Sequence, residues 1–142
     1  MSLKSMTIAK TLSANDTGET GGHQAGILVP KAPEILSFFP PLDAKRKNPR
    51  HEIGFTDESG VRWIFAFIYY NNRYFGGTRN EFRLTSMTPF MREAGLVAGD
   101  ELLLHRDAEG LRTVRWRRNT PTQSLIAGGV LRLGGQWKTI DL

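Results

Sequence analysis

His51-Glu52-Ile53-Gly54-Phe55, Thr56-Asp57-Glu58-Ser59-Gly60 and Val61-Arg62-Trp63-Ile64-Phe65-Ala66-Phe67-Ile68-Tyr69-Tyr70 follow one another without a break. Aromatic and β-branched residues on either side of a polar, glycine-closed stretch predict a β-hairpin. Its second strand is apolar on both faces, so it is expected at the centre of a sheet. The longest apolar run, Trp63 to Tyr70, is far too short to cross a bilayer as a helix.

Toward the C-terminus, Asn71 to Gly77 is rich in turn formers. Beyond it Arg79, Glu81, Arg83 and Thr85 alternate with Phe82 and Leu84, the period of a strand with one polar face. Thr88 to Ala94 reads as a short helix with Thr88 as N-cap, Pro89 in the first turn and Gly95 closing it. Asp100–Arg106 and Leu111–Arg118, joined by Asp107-Ala108-Glu109-Gly110, form a second hairpin. Leu125 to Leu133, a Gly134-Gly135 turn and Gln136 to Ile140 finish the chain.

Toward the N-terminus, Lys45-Arg46-Lys47-Asn48-Pro49-Arg50 is a basic loop, Lys31 to Phe39 a helical turn or two, and Ile27-Leu28-Val29-Pro30 a short strand. Residues 13–26 are small, polar and turn-forming, and read as a long structureless loop. Residues 1–9 are expected to be a flexible lead-in, leaving 10–142 as a single domain. There is no internal repeat. Many short strands, two short helices and frequent turns predict a mostly-β (α+β) barrel or sandwich.

Composition narrows the function. The 142 residues contain no cysteine, which removes disulfide scaffolds, thiol nucleophiles and cysteine-ligated metals. Net charge is +5, and 13 of the 19 basic residues are arginine, whose planar fork suits phosphates and guanine edges. A polyanionic partner is expected, and no membrane. Met1 to Lys10 has neither the apolar core nor the cleavage site of a secretory signal, so the Asn15-Asp16-Thr17 sequon is read as chance.

Catalytic signatures are missing. His23, His51 and His105 lie far apart, without metal-ligand spacing, and there is no G-x-S-x-G. Gly128-Gly129 and Gly134-Gly135 do not make a phosphate loop. Asp100-Glu101 would need a lysine for metal-assisted hydrolysis, but Leu102-Leu103-Leu104 follows and the nearest downstream lysine is Lys138. No catalytic residue, metal or cofactor is expected.

Base-reading chemistry is present. Arg79 and Arg83 flank Glu81 on one face of a strand, so the carboxylate could hold an arginine or accept from a cytosine amine. The plain alternative is a surface ion-pair ladder. In the loop 13–26, Gly18, Gly21 and Gly22 offer backbone amides for close approach to a groove, and His23 and Gln24 could reach base edges.

Two blocks carry a resemblance. Leu12-Ser13-Ala14-Asn15-Asp16-Thr17-Gly18-Glu19-Thr20-Gly21-Gly22-His23-Gln24-Ala25-Gly26 resembles the first arm of the effector domain of EcoRII-type restriction endonucleases. Ile68-Tyr69-Tyr70-Asn71-Asn72-Arg73-Tyr74-Phe75-Gly76-Gly77-Thr78-Arg79-Asn80-Glu81-Phe82-Arg83-Leu84-Thr85 resembles its second arm. Together they cover about a quarter of the chain. Gly95 to Asp100 is a looser match.

The resemblance implies a plant B-three-like DNA-binding pseudobarrel, open, with seven strands or so and two short helices, whose two arms grip duplex DNA from the major-groove side. It implies a monomer reading 5′-CCWGG, one half-site per arm. It further implies an effector domain controlling a catalytic endonuclease domain that lies outside these 142 residues, in a bacterial cytoplasm. His23, Arg79, Glu81 and Arg83 match family positions implicated in binding. The candidate site is Ser13, Asn15, Asp16, Thr17, Glu19, Thr20, His23 and Gln24 in the first arm. The second arm supplies Asn71, Asn72, Arg73, Thr78, Arg79, Asn80, Glu81 and Arg83. Charge alone adds Lys10, Lys45, Arg46 and Lys47, with Arg50, as candidate phosphate contacts.

Three positions depart from the family. Gly77 stands in place of a lysine, Phe82 interrupts a Lys-Arg pair, and Leu28 replaces a tyrosine. Alternatives remain beside this reading: a nucleic-acid binder of different specificity, a non-specific or single-strand binder, which the tyrosines and Trp116 could serve by stacking, and a stand-alone nuclease.

Overall fold

The computed structural model describes residues 4–18, 26–119, 130–133 and 136–140. The strands are β1 (Met6–Thr11), β2 (Ile27–Val29), β3 (Arg50–Thr56), β4 (Arg62–Tyr70), β5 (Glu81–Thr85), β6 (Glu101–Arg106), β7 (Arg112–Arg117), β8 (Val130–Leu133) and β9 (Trp137–Ile140). Three short helices, α1 (Ala14–Thr17), α2 (Pro33–Leu36) and α3 (Thr88–Ala94), and a 3-10 turn over Asn72–Phe75 join them.

The predicted first hairpin is β3–β4, running from Arg50↔Ile68 to Thr56↔Arg62. Its turn is built by Asp57. Oδ1 accepts the Ser59 and Val61 amides, and Oδ2 accepts the Trp63 indole N–H at 2.8 Å. The Trp63 bond, with that from Ser59, holds the Asp57 carboxyl at about 2. As expected, β4 is interior, between β3 and β5. Its burial on both faces is confined to Phe65–Ile68, because Ile64 is outward and exposed.

All nine strands of the described residues join one sheet in the order β2-β5-β4-β3-β7-β6-β1-β9-β8. The sheet curls into a half-barrel. Trp137 on β9, fully buried, donates its indole N–H to the Leu28 carbonyl on β2 at 2.8 Å, which ties one edge strand to the strand next to the other edge. Phe38, Phe55, Phe65, Phe67, Phe90 and Trp137 fill the interior with aliphatic residues from β1, β2, β5, β6 and β7. Buried apolar area of this kind is the main source of stability.

Several expectations are corrected. The lead-in over residues 1–9 is too long: β1 begins at Met6, and Thr7, Ile8 and Ala9 are buried between β6 and β9. Residues 13–26 are not wholly structureless, since α1 occupies Ala14–Thr17. The sheet has nine strands rather than about seven, and three short helices rather than two. Thr88 is the first helical residue of α3; Met87 precedes it as cap residue without a side-chain bond, while Gly95 closes the helix in the left-handed region as expected. The stretch Leu125–Leu133 falls partly outside the described residues, which resolve β8 from Val130.

Candidate nucleic-acid interface

The first arm leaves β1 through a built corner. Ser13 Oγ accepts the Asp16 amide at 3.1 Å, and Asp16 Oδ2 accepts the Ser13 amide at 2.9 Å, a reciprocal capping box. The same Asp16 oxygen takes the ammonium of Lys10 at 2.9 Å, with both side chains over nine-tenths buried. Lys10, expected at a phosphate, instead spends its charge inside the protein, also donating to the Thr11 carbonyl. Asn15 is exposed, and Thr17 donates to the Ala14 carbonyl. Glu19, Thr20, His23 and Gln24 lie outside the described residues.

The first arm rejoins the sheet at Gly26. Its φ is +89°, and a Cβ there would sit 2.5 Å from Thr85 Cγ2 and 2.7 Å from the Leu84 carbonyl oxygen. Only glycine fits such a backbone approach without strain. Its carbonyl accepts Arg83 Nη1 at 2.9 Å, which ties the exit of the first arm to the strand of the second.

Arg79, Glu81 and Arg83 do converge on one face, as their alternation predicts. Glu81 Oε1 accepts Arg79 Nη2 at 2.7 Å, Arg79 Nε at 3.1 Å and Arg83 Nε at 2.9 Å. The Arg83 bond, ahead of that from Arg79, lowers the Glu81 pKa against an opposing push from burial. The Arg79 guanidinium lies over the Tyr70 ring, 3.8 Å from its centroid. Glu81 therefore serves as a positioning carboxylate between two partly exposed guanidinium forks.

Asn71 and Asn72 hold backbone, and Asn80 holds a side chain. Asn72 Oδ1 accepts the Arg79 amide at 2.7 Å, and Asn80 Oδ1 accepts the Tyr69 hydroxyl at 2.7 Å. Burial first, then Tyr74 beside it, holds the Tyr69 phenol above its ordinary value. Asn71 is fully buried and reaches the basic loop, bonding the carbonyls of Ala44 and Arg46. Lys45, Arg46 and Lys47 are exposed on that loop, Arg50 at the start of β3, and Arg73 and Thr78 on the arm.

A family model described as restriction endonuclease EcoRII, N-terminal, matches residues 2–93. The chain belongs to that family. Type II restriction enzyme EcoRII of Escherichia coli is 43% identical over 83 residues, 54% of this chain and 19% of the enzyme. Auxin response factor 3 of Oryza sativa subsp. japonica is 36% identical over 111 residues, covering 78% of this chain and 14% of that protein. The chain thus spans less than a fifth of the length of either relative. A solved structure, the Arabidopsis FUS3-DNA complex, superposes with a TM-score of 0.60 at 22% identity, covering 79% of this chain and 96% of that one. The fold is the B-three-type pseudobarrel.

Within this EcoRII N-terminal domain, the family departures have local reasons. Phe82 stacks on Tyr69 at 4.3 Å and on Phe67 at 5.6 Å, so it belongs to the core side of β5. A Cβ on Gly77 would lie 2.7 Å from Asn72 Cγ, the side chain that holds Arg79. Leu28 is exposed, and its contribution is the carbonyl that receives Trp137.

Sequence reasoning missed Tyr70 as the platform for Arg79. β4–β5 pairing places Tyr70 opposite Glu81, a register that only the structure displays. Tyr74, read only as a stacking residue for a single strand, and Phe75, not read as a contact, are exposed at 64% and 44% on the arm.

Asp100 and Glu101 are engaged by different partners. Successive residues face opposite sides. Asp100 turns inward to the Val97 and Asn119 amides and Arg118, while Glu101 meets Arg117 at 3.2 Å and Lys138 at 2.5 Å. Burial pushes the Asp100 pKa up, and those donors more than offset it, leaving it lowered. Among the described residues no group of three acidic or histidine side chains is placed to hold a metal, and no helix is long and apolar enough to cross a membrane.

Proposed function

We propose that this domain binds double-stranded DNA sequence-specifically, reading 5′-CCWGG as a monomer with its two arms. It acts as the effector domain of a Type IIE restriction endonuclease in a bacterial cytoplasm, the cutting being done by a catalytic domain elsewhere. The observation that carries this reading is the Arg79–Glu81–Arg83 fan at the root of an arm in a chain of the EcoRII N-terminal family. Two guanidiniums fixed by a shared carboxylate offer paired donors suited to guanine O6 and N7, and Glu81 Oε2 keeps acceptor capacity for a cytosine amine. Lys45, Arg46 and Lys47 supply backbone contacts on phosphates; Lys10 is committed to Asp16 and takes no part.

The test is fluorescence anisotropy with a labelled CCWGG duplex and with duplexes changed at one base pair, at near-physiological salt. A preference of about tenfold or more per change is expected. Equal affinity across the series would overturn specific recognition, and tighter binding to single strands would replace it with a stacking mode. No cofactor is required: chelating divalent cations should leave the affinity unchanged.

A further inference from the structure

We infer that Asn71 is a positioning residue that locks the basic loop Lys45–Lys47 to the root of the second arm, so that loop and arm grip one duplex as a single rigid body. The inference rests on the DNA-binding reading above.

Asn71 is the residue after β4 and is fully buried. Its Oδ1 accepts the Asn48 amide at 2.6 Å. Its Nδ2 donates to the Arg46 carbonyl at 2.7 Å and the Ala44 carbonyl at 3.1 Å. Its own amide donates to Asn48 Oδ1 at 3.2 Å. One side chain therefore satisfies both ends of the loop, and Asn48, in the left-handed region at φ 48°, answers reciprocally. Only a carboxamide of this length supplies two donors and one acceptor at that depth. The neighbouring Asn72 faces the other way and holds the Arg79 amide.

The loop so fixed carries Lys45, Arg46 and Lys47, all exposed, and among the described residues none of the three is in a salt bridge. Holding unneutralised like charges together through buried backbone bonds opposes their repulsion. The arrangement is useful when the counter-charge comes from outside, because the ordering cost is met before binding. A phosphate backbone running past the second arm supplies that charge.

The experiment uses the whole chain. Asn71→Ala is compared with the exposed-loop variant Lys45→Gln/Arg46→Gln/Lys47→Gln, with both combined, and with Asn72→Ala. Limited trypsin digestion should cut between Lys45 and Arg50 at least severalfold faster in Asn71→Ala than in the unmutated chain. In the loop variant the salt slope of duplex binding should fall by about one unit for each phosphate that the loop no longer neutralises. Asn71→Ala should also lower that slope, but not further in the loop-variant background, and its affinity loss should be the same on matched and single-substituted duplexes. Asn72→Ala should instead reduce base-pair discrimination and keep the slope. An unchanged slope in either the loop variant or Asn71→Ala, additive slopes in the combined variant, or unchanged trypsin cleavage would overturn the inference. If the unmutated chain bound no duplex, the functional reading itself would fail, and the inference with it.

Discussion

Glu81 sets the state of the second arm. Its folded pKa is lowered from an ordinary 4.5 by Arg83 and then Arg79, so the ion-pair fan stabilises the arm above that value and is lost as acid titrates through the depressed one. Duplex binding should therefore be indifferent to Glu81 titration around neutral pH. Glu81→Gln keeps the shape and removes the charge that holds two guanidiniums. Affinity for mismatched duplexes should rise while discrimination drops by about tenfold, measured across the single-substitution series. Arg79→Ala should cost roughly 1–3 kcal/mol on the matched duplex and relax preference at one base pair. Equal loss on every duplex would make Arg79 a phosphate contact instead.

At the scale of the element, the first arm starts from a corner of only four helical residues, too short to persist by helix propensity. Tertiary bonds hold it. Asp16→Ala removes half of the capping box and strands the Lys10 ammonium in a buried site. It should cost about 3–5 kcal/mol in urea unfolding. Ser13→Ala removes only a cap bond and should cost about 1 kcal/mol. Faster amide exchange at Asp16 and Thr17 in both variants would place the damage in α1; exchange unchanged in both would mean that the corner is held from elsewhere.

Across the whole molecule, the bond from Trp137 to the Leu28 carbonyl ties the edge strand β2 to β9 across the half-barrel. Trp137→Phe keeps most of the ring and leaves that carbonyl without its donor. Unfolding by urea should show a loss of about 1–3 kcal/mol, and the amides of β2 should exchange faster, because β2 is a three-residue edge strand. A loss shared evenly by every strand would instead mean that the indole acts through core volume. The pairing of β2 with β5 brings the exit of the first arm, at Gly26, onto β5, where Arg83 binds it.

Much of this was legible in the chain itself. Strand-forming runs bounded by polar, glycine-closed turns gave β3, β4, β6 and β7 nearly to their ends, and the alternation Arg79–Glu81–Arg83 placed three charges on one face. These are local properties: side-chain alternation follows from backbone geometry, whatever the rest of the molecule does. What sequence could not reveal is which polar residues are spent inside. Lys10 read as a phosphate ligand and is a buried partner of Asp16; Asn71 read as part of the contact surface and is a fully buried tie to the basic loop. Met6 to Ala9 read as a lead-in because β1 gains its burial entirely from β6 and β9, almost a chain length away. The sequence by itself determined most of the strands and turns and the chemistry of the second arm. The tertiary structure alone decided which charges face outward, because burial depends on partners distant in the chain that no local pattern encodes.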